Sequence, residues 1–80
     1  MYMETKNNSG VNGWVARDKD DLGLKGQLHF FFEKPSRYGI YWGDPSVRKI
    51  LISEKDFPQG AKINWNNSPV EVTLNININS

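Results

Sequence analysis

Val70-Glu71-Val72-Thr73-Leu74-Asn75-Ile76-Asn77-Ile78-Asn79 alternates apolar and polar residues without a break. Successive side chains of a strand point to opposite faces, so this spacing predicts a strand with one face buried and one wet. Most of its apolar members are β-branched, and propensity agrees with pattern. Asn66-Asn67-Ser68-Pro69 reads as the turn leading into it, and Lys62-Ile63-Asn64-Trp65 as another short strand.

Further upstream, Gln27 to Glu33 repeats the signal, with Leu28, Phe30 and Phe32 on one side. Phe31 is the odd member on the other side and implies that this second face is also partly covered. Gly13 to Arg17 reads as a shorter strand, joined to it by a long hairpin through the turn formers of Asp18 to Gly26. Lys34 to Gly39 reads as a turn, because Pro35 cannot donate to a sheet ladder. Ile40-Tyr41-Trp42 follows as a brief strand. Val47 to Ser53 is a strand less clearly sided, with Ile50 and Ile52 on one face and Val47 and Leu51 on the other. Ser53-Glu54-Lys55-Asp56 matches a capping box weakly, and Pro58 and Gly60 stop any helix after one turn.

The expected fold is therefore mainly β: a small antiparallel sheet of five or six strands, barrel-like or a small sandwich, with at most one short helical turn. Its predicted core holds Trp14, Leu28, Phe30, Phe32, Ile50, Ile52, Val70, Val72 and Leu74, with Trp65 as a further candidate. Eighty residues leave room for one domain. Residues 13–80 are assigned to it and residues 1–12 to a polar leader without an apolar signal region. The absence of cysteine excludes a disulfide framework and a thiolate zinc site, and it fits a reducing compartment. No apolar run approaches the roughly 20 residues that span a bilayer. Ten basic against nine acidic residues give a net charge of +1, without the excess that a dedicated nucleic-acid binder carries.

Trp14-Val15-Ala16-Arg17-Asp18-Lys19-Asp20, Phe31-Phe32-Glu33-Lys34-Pro35, Tyr41-Trp42, Phe57-Pro58 and Trp65 to Val72 form a recognisable series. Together they resemble a group of short uncharacterised proteins from prophages and mobile elements of gut bacteria. Those proteins show a WVARDKDG-like start, a KP turn, a YW or tryptophan pair and an FP…W…PVEV finish. The resemblance covers most of residues 13 to 74 and implies a bacterial or phage origin and a cytoplasmic location. It brings no activity or binding residue with it. The chain departs from the pattern where Asp21-Leu22-Gly23-Leu24 replaces the expected Gly and short hairpin, and where Asn75 to Ser80 extends the last strand.

Candidate chemistry is sparse. His29 is the sole histidine and sits among phenylalanines, where a structural role is the ordinary one. Asp18, Asp20 and Asp21 hint at a calcium loop, but Leu22 and His29 stand where its fifth and twelfth ligands belong. No catalytic residue, metal site or cofactor is expected. Arg37, Tyr38, Tyr41 and Trp42, with Arg48, are the candidate binding residues, since Tyr, Trp and Arg anchor interfaces. The bland reading is that Tyr41 and Trp42 close one end of the core. The expected function is a non-enzymatic protein-interaction module, such as a mobile-element inhibitor acting by surface occlusion. The alternative is single-stranded nucleic-acid binding, with Lys25, Lys34, Arg37, Arg48 and Lys49 interleaved among Phe31, Tyr38, Tyr41 and Trp42. A homodimer through the C-terminal strand is a further expectation.

Overall fold

The computed structural model describes residues 10–75. Strand β1 (Gly10–Arg17) is the spine. It pairs antiparallel with β2 (Leu28–Phe31) on one side and with β6 (Val70–Asn75) on the other. Strand β5 (Lys49–Ile52) adds outside β2, giving the order β5-β2-β1-β6. Strands β3 (Arg37–Tyr38) and β4 (Tyr41–Trp42) form a separate two-stranded ribbon. The result is the expected mainly β fold, with six strands and one 3₁₀ helix at Pro58–Lys62 among the described residues. Among the described residues, β5 and β6 are the edges of the four-stranded sheet.

Register sorts the side chains, because residues directly opposite one another share a face. Val70, Val15, Phe30 and Ile50 form one row of the first face; Arg17, Leu28 and Ile52 form the next. The row Glu71, Trp14, Phe31 and Lys49 lies on the second face, with Ala16, His29 and Leu51 beside it. On the first face Val15, Leu28, Phe30 and Ile63 are buried together, and Val11, Phe32, Ile52, Phe57, Val70 and Val72 pack around them. On the second face Ala16, Phe31 and Trp42 are buried, with Val47 and Trp65 against them. The oddly placed Phe31 thus has its own core, as its presence on the wet side of an alternating strand implied.

The cover of the first face is the 3₁₀ helix. Pro58 starts it, where a missing N–H costs nothing. Gly60 then lies so close to Leu28 that a Cβ would stand 2.5 Å from Leu28 Cδ1. A buried arginine ties this cover down. Arg17 Nε donates to Ile63 O at 2.7 Å, Nη1 to Gly26 O at 2.8 Å and Nη2 to Gly60 O at 2.9 Å. Its Nη2 also meets the Glu54 carboxylate, which Lys25 contacts at 3.0 Å. Those two cations hold the Glu54 carboxyl below its ordinary range, Lys25 more than Arg17. One guanidinium therefore satisfies three main-chain carbonyls and a carboxylate that would otherwise compete for water.

Several local expectations are corrected. β1 begins at Gly10, three residues before the expected start. Lys34 to Gly39 is not wholly a turn, since Arg37 and Tyr38 pair with Trp42 and Tyr41. The helical turn falls at Pro58–Lys62 and not at Ser53–Asp56, which is a hydrogen-bonded turn. Lys62 to Trp65 is not a strand: Asn64 and Asn67 exchange side-chain to backbone bonds of 2.8 and 2.9 Å and turn the chain. In the core, Ile50 is 47% exposed because β5 is an edge, and Trp14 is only half-buried on the second face. Val15, absent from the expected core, is fully buried next to it in sequence. The expected strand residues 76–79 and leader residues 1–9 lie outside the described residues, as do the side chains of Leu74 and Asn75. No helix among the described residues is long and apolar enough to cross a membrane.

Candidate functional site

The stretch Arg37-Tyr38-Gly39-Ile40-Tyr41-Trp42 folds back on itself through the two-residue connection Gly39-Ile40. Gly39 takes φ +66°, the left-handed region that a tight hairpin needs at its first central position. Alternation then divides the ribbon into two sides. Arg37 and Trp42 are paired and face the sheet; Tyr38 and Tyr41 are paired and face away. Trp42 is 5% exposed, whereas Tyr38 and Tyr41 are 53% and 51% exposed.

The inner side is fixed by several independent contacts. Trp42 packs on Trp65 with ring centres 5.4 Å apart. Arg37 lies over both, 4.3 Å from the Trp65 ring and 5.2 Å from that of Trp42, and donates to Trp65 O at 3.2 Å. Asp18 Oδ1, itself buried, accepts the Trp42 N–H at 3.0 Å, and Lys19 N–H donates to Ile40 O at 3.0 Å. Asp18 and Lys19 immediately follow β1, so the ribbon is latched to the end of the central strand. Beside the tyrosines a shallow depression of about 260 Å³ is lined by Tyr38, Tyr41, Gly43, Pro45 and Lys49. Lys49 is its sole charged lining group.

The structure therefore brings together part of the candidate set. Tyr38 and Tyr41 form one outward surface. Trp42 is removed from it, because it fills the second core. Arg37 stays at the surface but spends its guanidinium on stacking over two indoles. Arg48 is elsewhere: it lies 4.7 Å above the Phe32 ring, and Phe32 packs against the first-face core. Lys49 joins the site instead, one position along, because the strand alternation turns it to the second face. Its place could have been found from the odd-numbered alignment of Val47, Lys49 and Leu51.

Elsewhere, His29 is 12% exposed, its Nδ1 has no hydrogen-bond partner and stands 3.8 Å from Asp18 Oδ2. Burial lowers its pKa, the Asp18 charge opposes that shift, and Lys49 adds to it. A single carboxylate at that distance gives neither a triad nor a metal site, and no group of three metal-ligating side chains occurs among the described residues. At the β1–β2 hairpin tip Leu22 is 92% and Leu24 72% exposed, across the bridge between Asp21 and Leu24. In comparisons with protein families, curated proteins and solved structures, none matches this chain.

Proposed function

We propose that this protein is a non-enzymatic interaction module that occupies the surface of a partner protein, with Tyr38 and Tyr41 as its anchors. The observation that carries this reading is the sidedness of the β3–β4 ribbon: two half-exposed tyrosines face solvent on a backbone whose reverse side is pinned by Trp42, Arg37 and Asp18. Tyrosine offers a large contact area with few rotatable bonds, and a pre-ordered ribbon loses little freedom on binding. The depression beside Lys49 suits a small apolar group carrying a negative charge nearby.

In its finer form the reading is an inhibitor encoded by a mobile element and working in a bacterial cytoplasm, which rests on the resemblance of Trp14 to Val72 to prophage proteins. Pairing of a second copy along the edge of β6 is the homodimer alternative, and it would leave both tyrosines uncovered. Single-stranded nucleic acid ranks second for the tyrosine face. Lys49 adjoins the rings, but the Arg37 fork is engaged by Trp65, and a stacking platform works best beside a run of free cations.

The test is a pull-down from gut-bacterial lysate, with and without nuclease, using wild type and a Tyr38→Ala, Tyr41→Ala variant. Both residues are half-exposed and outside the two cores, so the variant should stay folded, which its melting transition checks. Capture should survive nuclease, change little with salt and vanish in the variant. Capture that nuclease abolishes and that falls steeply with salt would assign the surface to nucleic acid. Undiminished capture by the variant would remove the tyrosines from the site.

A further inference from the structure

A second surface lies on the first face, between the 3₁₀ helix and the edge strand β6. Phe57, Ile63, Val70 and Val72 floor a groove of about 480 Å³, with Gln59, Lys62, Asn67 and Thr73 around it. Thr73 lines the groove although its hydroxyl donates to Asn12 Oδ1 at 2.8 Å on the other face, so the groove opens along the strand edge itself. Among the described residues, that edge carries main-chain groups without a strand partner. In an antiparallel pair, residues alternate between bonding the neighbour and turning outward. Arg17 N–H points toward the β6 side, where it meets Ser68 Oγ at 2.9 Å, and Asp18 N–H points toward β2, where it meets Gln27 O at 3.0 Å. Counting back from Arg17, Val15 and Gly13 bond to Val70 and Val72, and the N–H and C=O of Glu71 and Thr73 face outward. Among the described residues, β6 pairs with β1 alone.

We propose that this edge and groove bind an extended segment of another protein by strand addition. The segment would carry apolar residues at alternate positions and a carboxylate placed to meet Lys62. Each feature fixes one property of the occupant. Outward N–H and C=O groups spaced two residues apart demand an extended main chain. The apolar floor takes every second side chain of such a strand. Lys62 is the one charged residue lining the groove; no acidic residue lines it, and no ion pair among the described residues includes Lys62. A second copy of this chain matches less well. The acid of its β6, Glu71, projects to the face opposite the groove, so self-pairing brings no carboxylate to Lys62.

The test is selection from a displayed library of random ten-residue linear peptides against the full chain, with the Tyr38→Ala, Tyr41→Ala variant in parallel. Enriched peptides should alternate apolar residues and carry an acid. They should bind wild type and the tyrosine variant equally, which separates this surface from the other one. On binding, the amides of Glu71 and Thr73 should become protected from exchange. N-methylation at alternate peptide positions should weaken binding tenfold or more, and at the intervening positions it should not. Lys62→Glu should switch the selected peptides from acidic to basic, an outcome that a merely structural lysine would not produce. The proposal is overturned if no peptide is enriched or if binding depends on Tyr38 and Tyr41. It is equally overturned if Lys62→Glu leaves the preference unchanged, or if sedimentation shows that copies of the chain already occupy each other's β6 edge.

Discussion

On the first face of the sheet, Val15, Leu28, Phe30 and Ile63 meet carbon to carbon, and the nearby polar group, Arg17, has four acceptors around it. On the second face, Ala16, Phe31 and Trp42 share their space with a histidine nitrogen and an indole nitrogen that have no partner. The two covers are held by different means. The 3₁₀ helix is seated by packing and by a saturated guanidinium. The β3–β4 ribbon is seated by one carboxylate bond, one main-chain bond, the Arg37 bond to Trp65 O and a stack of Arg37 on two indoles. Unsatisfied buried polar atoms weaken a cover, so the tyrosine-bearing ribbon should loosen more readily than the helix.

Removing Arg17 should break the stronger cover. Arg17→Ala strands the carbonyls of Gly26, Gly60 and Ile63, and each buried acceptor left without a partner costs about 1–3 kcal/mol. A domain of this size has only roughly 4–12 kcal/mol of stability, so urea should unfold the variant far earlier. Arg17→Lys should recover little, because an ammonium has three donors and no planar fork. A midpoint near that of wild type in Arg17→Ala would show that packing alone seats the helix.

The weaker cover should fail locally. Asp18→Ala removes the acceptor of the Trp42 N–H, with an expected loss of about 1–3 kcal/mol. Hydrogen exchange should accelerate at Trp42, while the amide of Phe30 keeps nearly its wild-type protection. Asp18→Asn retains an acceptor oxygen and should hold the ribbon close to normal. Equal acceleration at Trp42 and Phe30 would mean that the two faces open as one unit.

This contrast explains what the sequence made legible. The runs from Gln27 to Glu33 and from Val70 to Asn79 alternate over seven and ten residues, and a one-residue slip would turn their apolar rows outward, so their faces could be read directly. The first-face cover could not. Lys62-Ile63-Asn64-Trp65 also alternates, but over four residues, too few to separate a strand from a chain passing Ile63 to one core and Trp65 to the other. Pro58 and Gly60 look like breakers until Gly60 is seen to be the point of contact with Leu28. The tyrosines were recognisable as an aromatic pair around a Gly turn, and the two-residue connection makes them share a side. Which side is buried depends on Asp18 and Trp65, one of them far along the chain. Arg17 and Asp18 were hidden for a related reason: they open the run Arg17-Asp18-Lys19-Asp20-Asp21, whose composition is that of a solvated loop.

The smallest effect separates the faces by pH. The first-face network contains Glu54, whose carboxyl is held below its ordinary value of 4.5 by Lys25 and Arg17, so its contribution is lost only as pH falls below that range. The second face contains His29, whose pKa lies below 6.5 because burial disfavours the imidazolium; Asp18 pulls the other way and Lys49 reinforces the shift. An unfolded chain therefore binds a proton at His29 before the folded one does. Stability is full above pH 6.5 and declines as pH falls from there to the folded pKa, where the decline stops. Urea midpoints between pH 7.5 and 5 should trace this step, and His29→Gln should remove it while leaving the acid limb below pH 4.5 in place. A step that persists in His29→Gln would assign the transition to another group and would leave the unpartnered imidazole without energetic consequence for the second face.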